Sequence, residues 1–237
     1  MKKLAICFYG QPRFIDNDVV YKRYIELINQ YDADVYIHSW ISNAENIMDA
    51  SDWSKQNNFI EKLNSAEQIV SMYKPIKVLF EPPQNFSFNS NTKQAVNGKS
   101  YYSLNNESNL ISHLTTLTKS IKLIETPEFY DFILATRLDA YFYNFPDINN
   151  LDTDHFYIDG QYRHFADGVM LFGNKYIKAL YMTDSIEHLS TIVPIFTSEE
   201  YVKNNLNLNN CDNKIKHLDD LRAGYVRSNN GLDLVNK

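Results

Sequence analysis

Arg137-Leu138-Asp139 is the tripeptide best placed for chemistry, because it follows the apolar run Phe132-Ile133-Leu134-Ala135-Thr136 without a break. If that strand persists to its end, Arg137 and Asp139 project to one side, since side chains alternate along a strand. A carboxylate there can hold a divalent metal bridging a diphosphate, and a guanidinium beside it can neutralise phosphate oxygens directly. An ordinary ion pair closing a strand end explains the same spacing, and the two readings stand level on sequence alone.

Other acidic pairs have plainer explanations. Asp16 and Asp18 open a helix, where carboxylates suit the dipole. Asp32 and Asp34 enter a strand, at the wrong end of a sheet for ligand binding. Asp152 and Asp154 begin like a calcium loop, but Phe156 replaces a ligand and Gly160 arrives too late. The histidines at 38, 113, 155, 164, 188 and 217 lack metal-ligand spacing, which leaves His217 as a late candidate metal ligand. His113 shares a helical face with Leu110 and Leu117 and reads as a hydrogen-bonded core residue. No G-x-G-x-x-G, P-loop, Cys-His pair or G-x-S-x-G elbow occurs, so hydride transfer, P-loop phosphoryl transfer and covalent hydrolysis lose support.

The elements that must position these groups follow from periodicity. Leu4 to Tyr9 is a short apolar run ended by Gly10-Gln11-Pro12-Arg13, a buried strand with its exit turn. Taken alone, that turn is equally a glycine bend with Arg13 facing solvent. Asp16 to Tyr31 carries Val20, Tyr24, Ile25, Leu27 and Ile28 as a helical stripe, and Asp34 to Trp40 is a second strand. Strand, helix, strand at this spacing is the βαβ unit of a parallel sheet. Ser65 opens a capping-box helix through Met72, and Ile76 to Phe80 is a third strand. Residues 84–106 have no period and read as a lid loop. Leu110, Leu114, Leu117, Ile121 and Ile124 mark a helix from Ser108, before the strand that leads to Asp139. Phe156 to Asp159 and Gly168 to Gly173 are further strands; Asn174 caps one helix and Ser198 starts another.

In open α/β sheets, ligands gather outside the carboxyl ends of the strands. Those exits here hold Gly10 to Arg13, His38-Ser39-Trp40, Glu81 and Arg137 to Asp139, with Asp167-Gly168 just before another strand.

Composition narrows the partner. The 237 residues are 44% hydrophobic and 22% charged, the balance of a folded globular chain. A net charge of -6 speaks against a duplex nucleic-acid partner, which calls for a basic face. Seventeen tyrosines suit sugar or nucleoside binding, although a biased genome accounts for them as well. Two cysteines in unlike surroundings argue against a disulfide framework and for the cytoplasm. No apolar run is long enough for a signal-peptide core or a membrane span.

Taken together, Ala5 to Arg13, Asp34 to Trp40 and Tyr130 to Asp139 resemble glycosyltransferases of bacterial capsule and lipopolysaccharide loci, which are similar to GT-A enzymes. The resemblance runs to about Gly173. It implies a GT-A-like, Rossmann-type α/β fold with a mostly parallel central sheet flanked by helices, forming one domain over 1–237 with 207–237 as a C-terminal extension. It also implies that Gly10, Gln11 and Arg13 meet the nucleotide, with Arg137 beside the diphosphate and Asp139 as the carboxylate for Mg²⁺ or Mn²⁺. Arg137 stands where the usual Asp-x-Asp motif has its first acid, so part of the cation's work falls to the arginine. Asp167, Glu199 and Glu200 compete to be the base that takes the acceptor hydroxyl's proton. For the two glutamates, stabilising a helix N-terminus is the plainer role.

The implied partners are a nucleotide-diphosphate sugar donor and a glycan acceptor, with peripheral membrane association if that acceptor is lipid-linked. Two other readings share the fold: a non-catalytic nucleotide-sugar binding or regulatory protein, and a phage glycosyltransferase acting on nucleic acid, which the acidic balance disfavours.

Overall fold

The computed structural model describes residues 1–13, 15, 18–41, 47–48, 59–60, 65–86, 104–160, 168–181, 198–228 and 231–232. Strand β1 (Leu4–Gly10) lies at the centre of the sheet, parallel to β2 (Asp34–Trp40) on one side and to β6 (Phe132–Arg137) on the other. A central parallel strand has both faces covered, so its sequence is apolar throughout rather than alternating. Leu4, Ile6 and Phe8 enter one core with Val20, Tyr24 and Leu27 of α1 (Asp18–Tyr31). Ala5, Cys7 and Tyr9 enter a second core with Leu114, Leu117 and Ile121. Each fully buried aliphatic side chain in these layers contributes roughly 1.5–3 kcal/mol.

Local signals close the helices. At the end of α1, Asp32 takes a left-handed φ of 47° and the Ala33 amide reaches back to the Ile28 carbonyl at 3.0 Å, a Schellman-type stop. Helix α2 (Ser65–Tyr73) ends at Lys74, also left-handed at 45°, before Pro75. Between β2 and α2, β3 (Ile47–Met48) pairs antiparallel with β4 (Phe59–Ile60). Strand β5 (Lys77–Glu81) pairs with β2 at the edge of the main sheet. Helix α3 (Leu104–Lys122) begins four residues before the expected Ser108. Residues 104–106 of the expected lid therefore belong to a helix, and 87–103 lie outside the described residues. The buried hydroxyls of α3 bond to backbone carbonyls, Thr116 to His113 at 2.9 Å and Ser120 to Leu117 at 2.8 Å, which is how polar groups survive in a core.

Beyond β6 the chain turns at Leu138 and Asp139 into β7 (Ala140–Asn144). Strands β8 (Phe156–Asp159) and β9 (Val169–Gly173) return to the main sheet. The helix expected from Asn174 is a 3-10 segment, Asn174–Leu180, with Gly173 at its cap. The Asn174 side chain donates to the Tyr130 carbonyl at 2.7 Å instead of capping. Helix α4 (Ser198–Leu208) precedes β10 (Ile215–Leu218), β11 (Arg222–Ser228) and β12 (Gly231–Leu232).

The main sheet has seven strands in the order β10-β8-β9-β6-β1-β2-β5, and a second has the order β12-β11-β7. All strands of the main sheet are parallel except β9, which runs against both β6 and β8. One edge therefore collects the ends of β1, β2, β5, β6, β8 and β10 together with the start of β9. Among the described residues no helix is long and apolar enough to cross a membrane.

Candidate functional site

The site is built from two turns that touch. Gly10 ends β1 with φ of 99°, a left-handed conformation that favours glycine, and a Cβ there would meet nothing within 4 Å. Glycine is required by the backbone, and the space beside it is open. The Ser39 hydroxyl donates to the Gly10 carbonyl at 2.8 Å, and Arg13 Nε donates to Gln11 Oε1 at 2.8 Å, so the turn is held from both sides. At the neighbouring exit, the Leu138 amide donates to the Tyr9 carbonyl at 3.2 Å, which fastens the turn after β6 to the end of β1.

Arg137 and Asp139 meet within that second turn. Arg137 Nε donates to Asp139 Oδ1 at 2.7 Å and Nη2 to Oδ2 at 2.6 Å. The strand expected to reach Asp139 stops at Arg137, so the two side chains converge because the chain folds back, not because they share a strand face. Only 3% of the Asp139 side chain and 23% of the Arg137 side chain are exposed. Burial opposes the guanidinium's charge, but the Asp139 carboxylate outweighs it and pushes the Arg137 pKa above its ordinary value. The flat face of the guanidinium lies on the Tyr225 ring, 4.9 Å from its centre. The Arg137 amide also donates to the Gly168 carbonyl at 3.1 Å, which ties the start of β9 to the same place.

A second polar cluster stands two exits away. Tyr9 and His38 are register partners, and Arg137 is the partner of Tyr9 on its other side, so the three side chains share one sheet face. His38 is fully buried, with Nε2 2.7 Å from Glu81 Oε2, while Lys119 of α3 pairs with the same oxygen. Lys119 also lies over the Trp40 ring at 5.2 Å, and Trp40 Nε1 donates to Ser112 at 2.7 Å. Burial lowers the His38 pKa although Glu81 works to raise it. Burial works to raise the Glu81 carboxyl, but hydrogen bonds from Lys119 and His38 hold it below its ordinary value.

Of the residues singled out by sequence, Gly10, Gln11, Arg13, Arg137 and Asp139 come together at adjacent exits. Asp167 lies outside the described residues; its neighbour Gly168 is the one bonded to Arg137. Glu199 and Glu200 occupy the first turn of α4. Glu199 is half-buried and Glu200 exposed. His217 is exposed on β10, three strands from β6, or roughly 14 Å at a strand spacing of about 4.8 Å. His113 stands edge-on to the Tyr9 ring at 5.3 Å. Tyr225 and Lys119 carried no sequence signal, because they meet the site only through strand pairing and helix packing, whereas Glu81, the partner of His38, stood among the strand exits.

Among the described residues, no group of three or more His, Cys, Asp or Glu side chains converges on a point. Both Asp139 oxygens already accept from Arg137. Among the described residues, Asp139 stands without a cluster of further acids and is almost entirely buried, so these residues do not fit a divalent cation as they stand.

A mostly parallel mixed sheet flanked by helices matches the GT-A glycosyltransferase fold. Core-mannan synthase A from Aspergillus fumigatus, solved in a Mn/GDP form, is similar with a TM-score of 0.53 and 8% identity, covering 95% of this chain and 75% of that one. Weaker likenesses are to the glycosyltransferase GlyE of Streptococcus pneumoniae TIGR4, with a TM-score of 0.41, 11% identity and coverage of 92% and 45%. The galactosyltransferase LgtC, solved with donor and acceptor sugar analogues, gives a TM-score of 0.41, 13% identity and coverage of 91% and 72%. The chain spans less than half the length of GlyE. No family model matches the chain, and no curated protein matches its sequence.

Proposed function

We propose that this chain is a nucleotide-sugar-dependent glycosyltransferase that moves a sugar from a nucleoside-diphosphate donor to a hydroxyl of a surface glycan of the capsule or lipopolysaccharide kind. The observation that carries the reading is the hydrogen bond from Leu138 to Tyr9, which makes Gly10–Arg13 and Arg137–Asp139 one continuous lip. Such a lip, at the carboxyl edge of a wound sheet, is where a diphosphate is received. Transfer leaves negative charge on the departing diphosphate, and positioned guanidinium groups offset it as it develops. Arg137 and Arg13 take that role.

The acceptor hydroxyl gives its proton to a carboxylate, for which Asp167, Glu199 and Glu200 are the candidates. The expectation of Mg²⁺ or Mn²⁺ at Asp139 has the manganese form of core-mannan synthase A in its favour. The carboxylate's two bonds to Arg137 stand against it, so no step is assigned to a metal. The work is placed in the cytoplasm, with contact to a membrane surface when the acceptor is lipid-linked.

The test is to incubate the protein with a panel of uridine, guanosine, cytidine and thymidine nucleotide sugars and follow donor turnover. Asp139→Asn removes one of the two acceptors that aim Arg137 and is expected to lower turnover about a hundredfold with the fold intact. Undiminished turnover would remove Asp139 from the mechanism. Absence of turnover with every donor would leave a binding protein in place of an enzyme.

A further inference from the structure

We propose that the donor's diphosphate is gripped by the Arg137 guanidinium itself, in the place where a divalent cation would otherwise stand; this rests on the glycosyltransferase reading above. Three contacts fix the guanidinium plane: the two hydrogen bonds to Asp139 and the Tyr225 ring beneath it. Nε and one N–H of Nη2 are spent on Asp139. The remaining N–H of Nη2 and both N–H groups of Nη1 form the outer side of the fork, and among the described residues none of the hydrogen bonds made by Arg137 uses Nη1. A planar fork of this kind matches two oxygens of a phosphate group.

The surroundings suit the same ligand. The Arg137 side chain is about one-quarter exposed, whereas its anchor Asp139 is almost entirely buried. The open space beside Gly10 and the half-buried Arg13 belong to the turn hydrogen-bonded to the same lip. The Asp139 oxygens keep lone pairs beyond the two given to Arg137, but a divalent cation there would compete with the guanidinium for the same charge. It would also stand beside a second positive charge of reduced solvent access, with no cluster of acids among the described residues to share it, and both consequences oppose binding. Asp139 is thus a positioning residue for Arg137, and the chain carries its cation covalently.

The experiment is calorimetric titration of the full chain with uridine, guanosine, cytidine and thymidine diphosphates, once in excess EDTA and once in MnCl₂. Electron paramagnetic resonance of Mn²⁺ with protein alone supplies a readout independent of turnover. The expected result is that at least one diphosphate binds equally well in EDTA, that Mn²⁺ alone stays free, and that Arg137→Gln weakens binding about tenfold or more. A double variant, Arg137→Gln with Asp139→Asn, keeps a neutral hydrogen-bonded pair and is expected to show the same loss with an unchanged melting temperature. Binding that appears only with Mn²⁺ overturns the inference and leaves the glycosyltransferase reading standing. EDTA-resistant binding that Arg137→Gln and the double variant leave intact overturns the arginine grip alone. Absence of binding to all four diphosphates in both buffers overturns the inference and that reading together.

Discussion

The hydroxyl of Tyr225 occupies the space in which a side chain on Gly168 would begin: a Cβ there would overlap the hydroxyl oxygen and stand 2.6 Å from Cζ. The same ring supports the Arg137 guanidinium, so Gly168, Tyr225, Arg137 and Asp139 form one stack. Gly168→Ala is therefore expected to displace the ring, cost about 1–3 kcal/mol of stability through overpacking and loosen Arg137. Urea denaturation together with diphosphate titration checks this; an unchanged midpoint and affinity would mean that the ring is not held where it lies.

The buried imidazole of His38 gives the stability a pH dependence. In the folded chain burial keeps it neutral, with Nε2–H donating to Glu81, whereas in the unfolded chain it takes a proton near its ordinary value of 6.5. Stability is thus complete above that value and declines as the pH falls below it. Glu81, held below its ordinary 4.5, adds a second loss at more acid pH, as it is protonated in the folded state. Denaturation midpoints measured across this range should slope downward from 6.5, and His38→Gln should flatten the upper part. A profile level down to 4.5 would contradict the assignment.

Gly10→Ala tests the turn rather than the packing. With φ at 99° and nothing within 4 Å of the added methyl group, the cost is conformational, about 1–2 kcal/mol. The variant should fold and unfold at a lower denaturant concentration. A stability equal to that of the parent would mean that this turn tolerates an ordinary residue.

Cys7 lies in the middle of β1 with no exposed surface, and burial pushes its thiol well above the ordinary value. Iodoacetamide should leave Cys7 unmodified in the native protein and alkylate both cysteines in urea. Peptide mass mapping reads this directly, and rapid native labelling of Cys7 would be incompatible with helices on both faces of β1.

The parts of the fold that were legible share one physical trait. Strands β1, β2 and β6 are buried on both faces, so each carries a run of apolar residues, broken only by His38 and Ser39 in β2 and by Thr136 and Arg137 in β6, and the four-three spacing from Leu110 to Ile124 exposed α3 as amphipathic. Its start at Leu104 was hidden because the first turn adds no apolar periodicity. Strands β10 and β11 were missed for a related reason. Ile215 to Leu218 is only four residues long at a sheet edge, and Arg222-Ala223-Gly224-Tyr225 does not alternate. In the site, the nearness of Arg137 and Asp139 was readable from spacing, but the turn that joins them was not. Tyr225 was invisible because its place depends on the pairing of β11 with β7, and pairing between distant segments leaves no local mark.

The reversal of β9 decides where this molecule can vary. Because β8 ends and β9 begins on the same rim as the β1 turn, any lengthening of the connection between them adds material on that rim while both hydrogen-bond ladders stay in register. Length can therefore change at that one joint without renegotiating the core that holds Arg137.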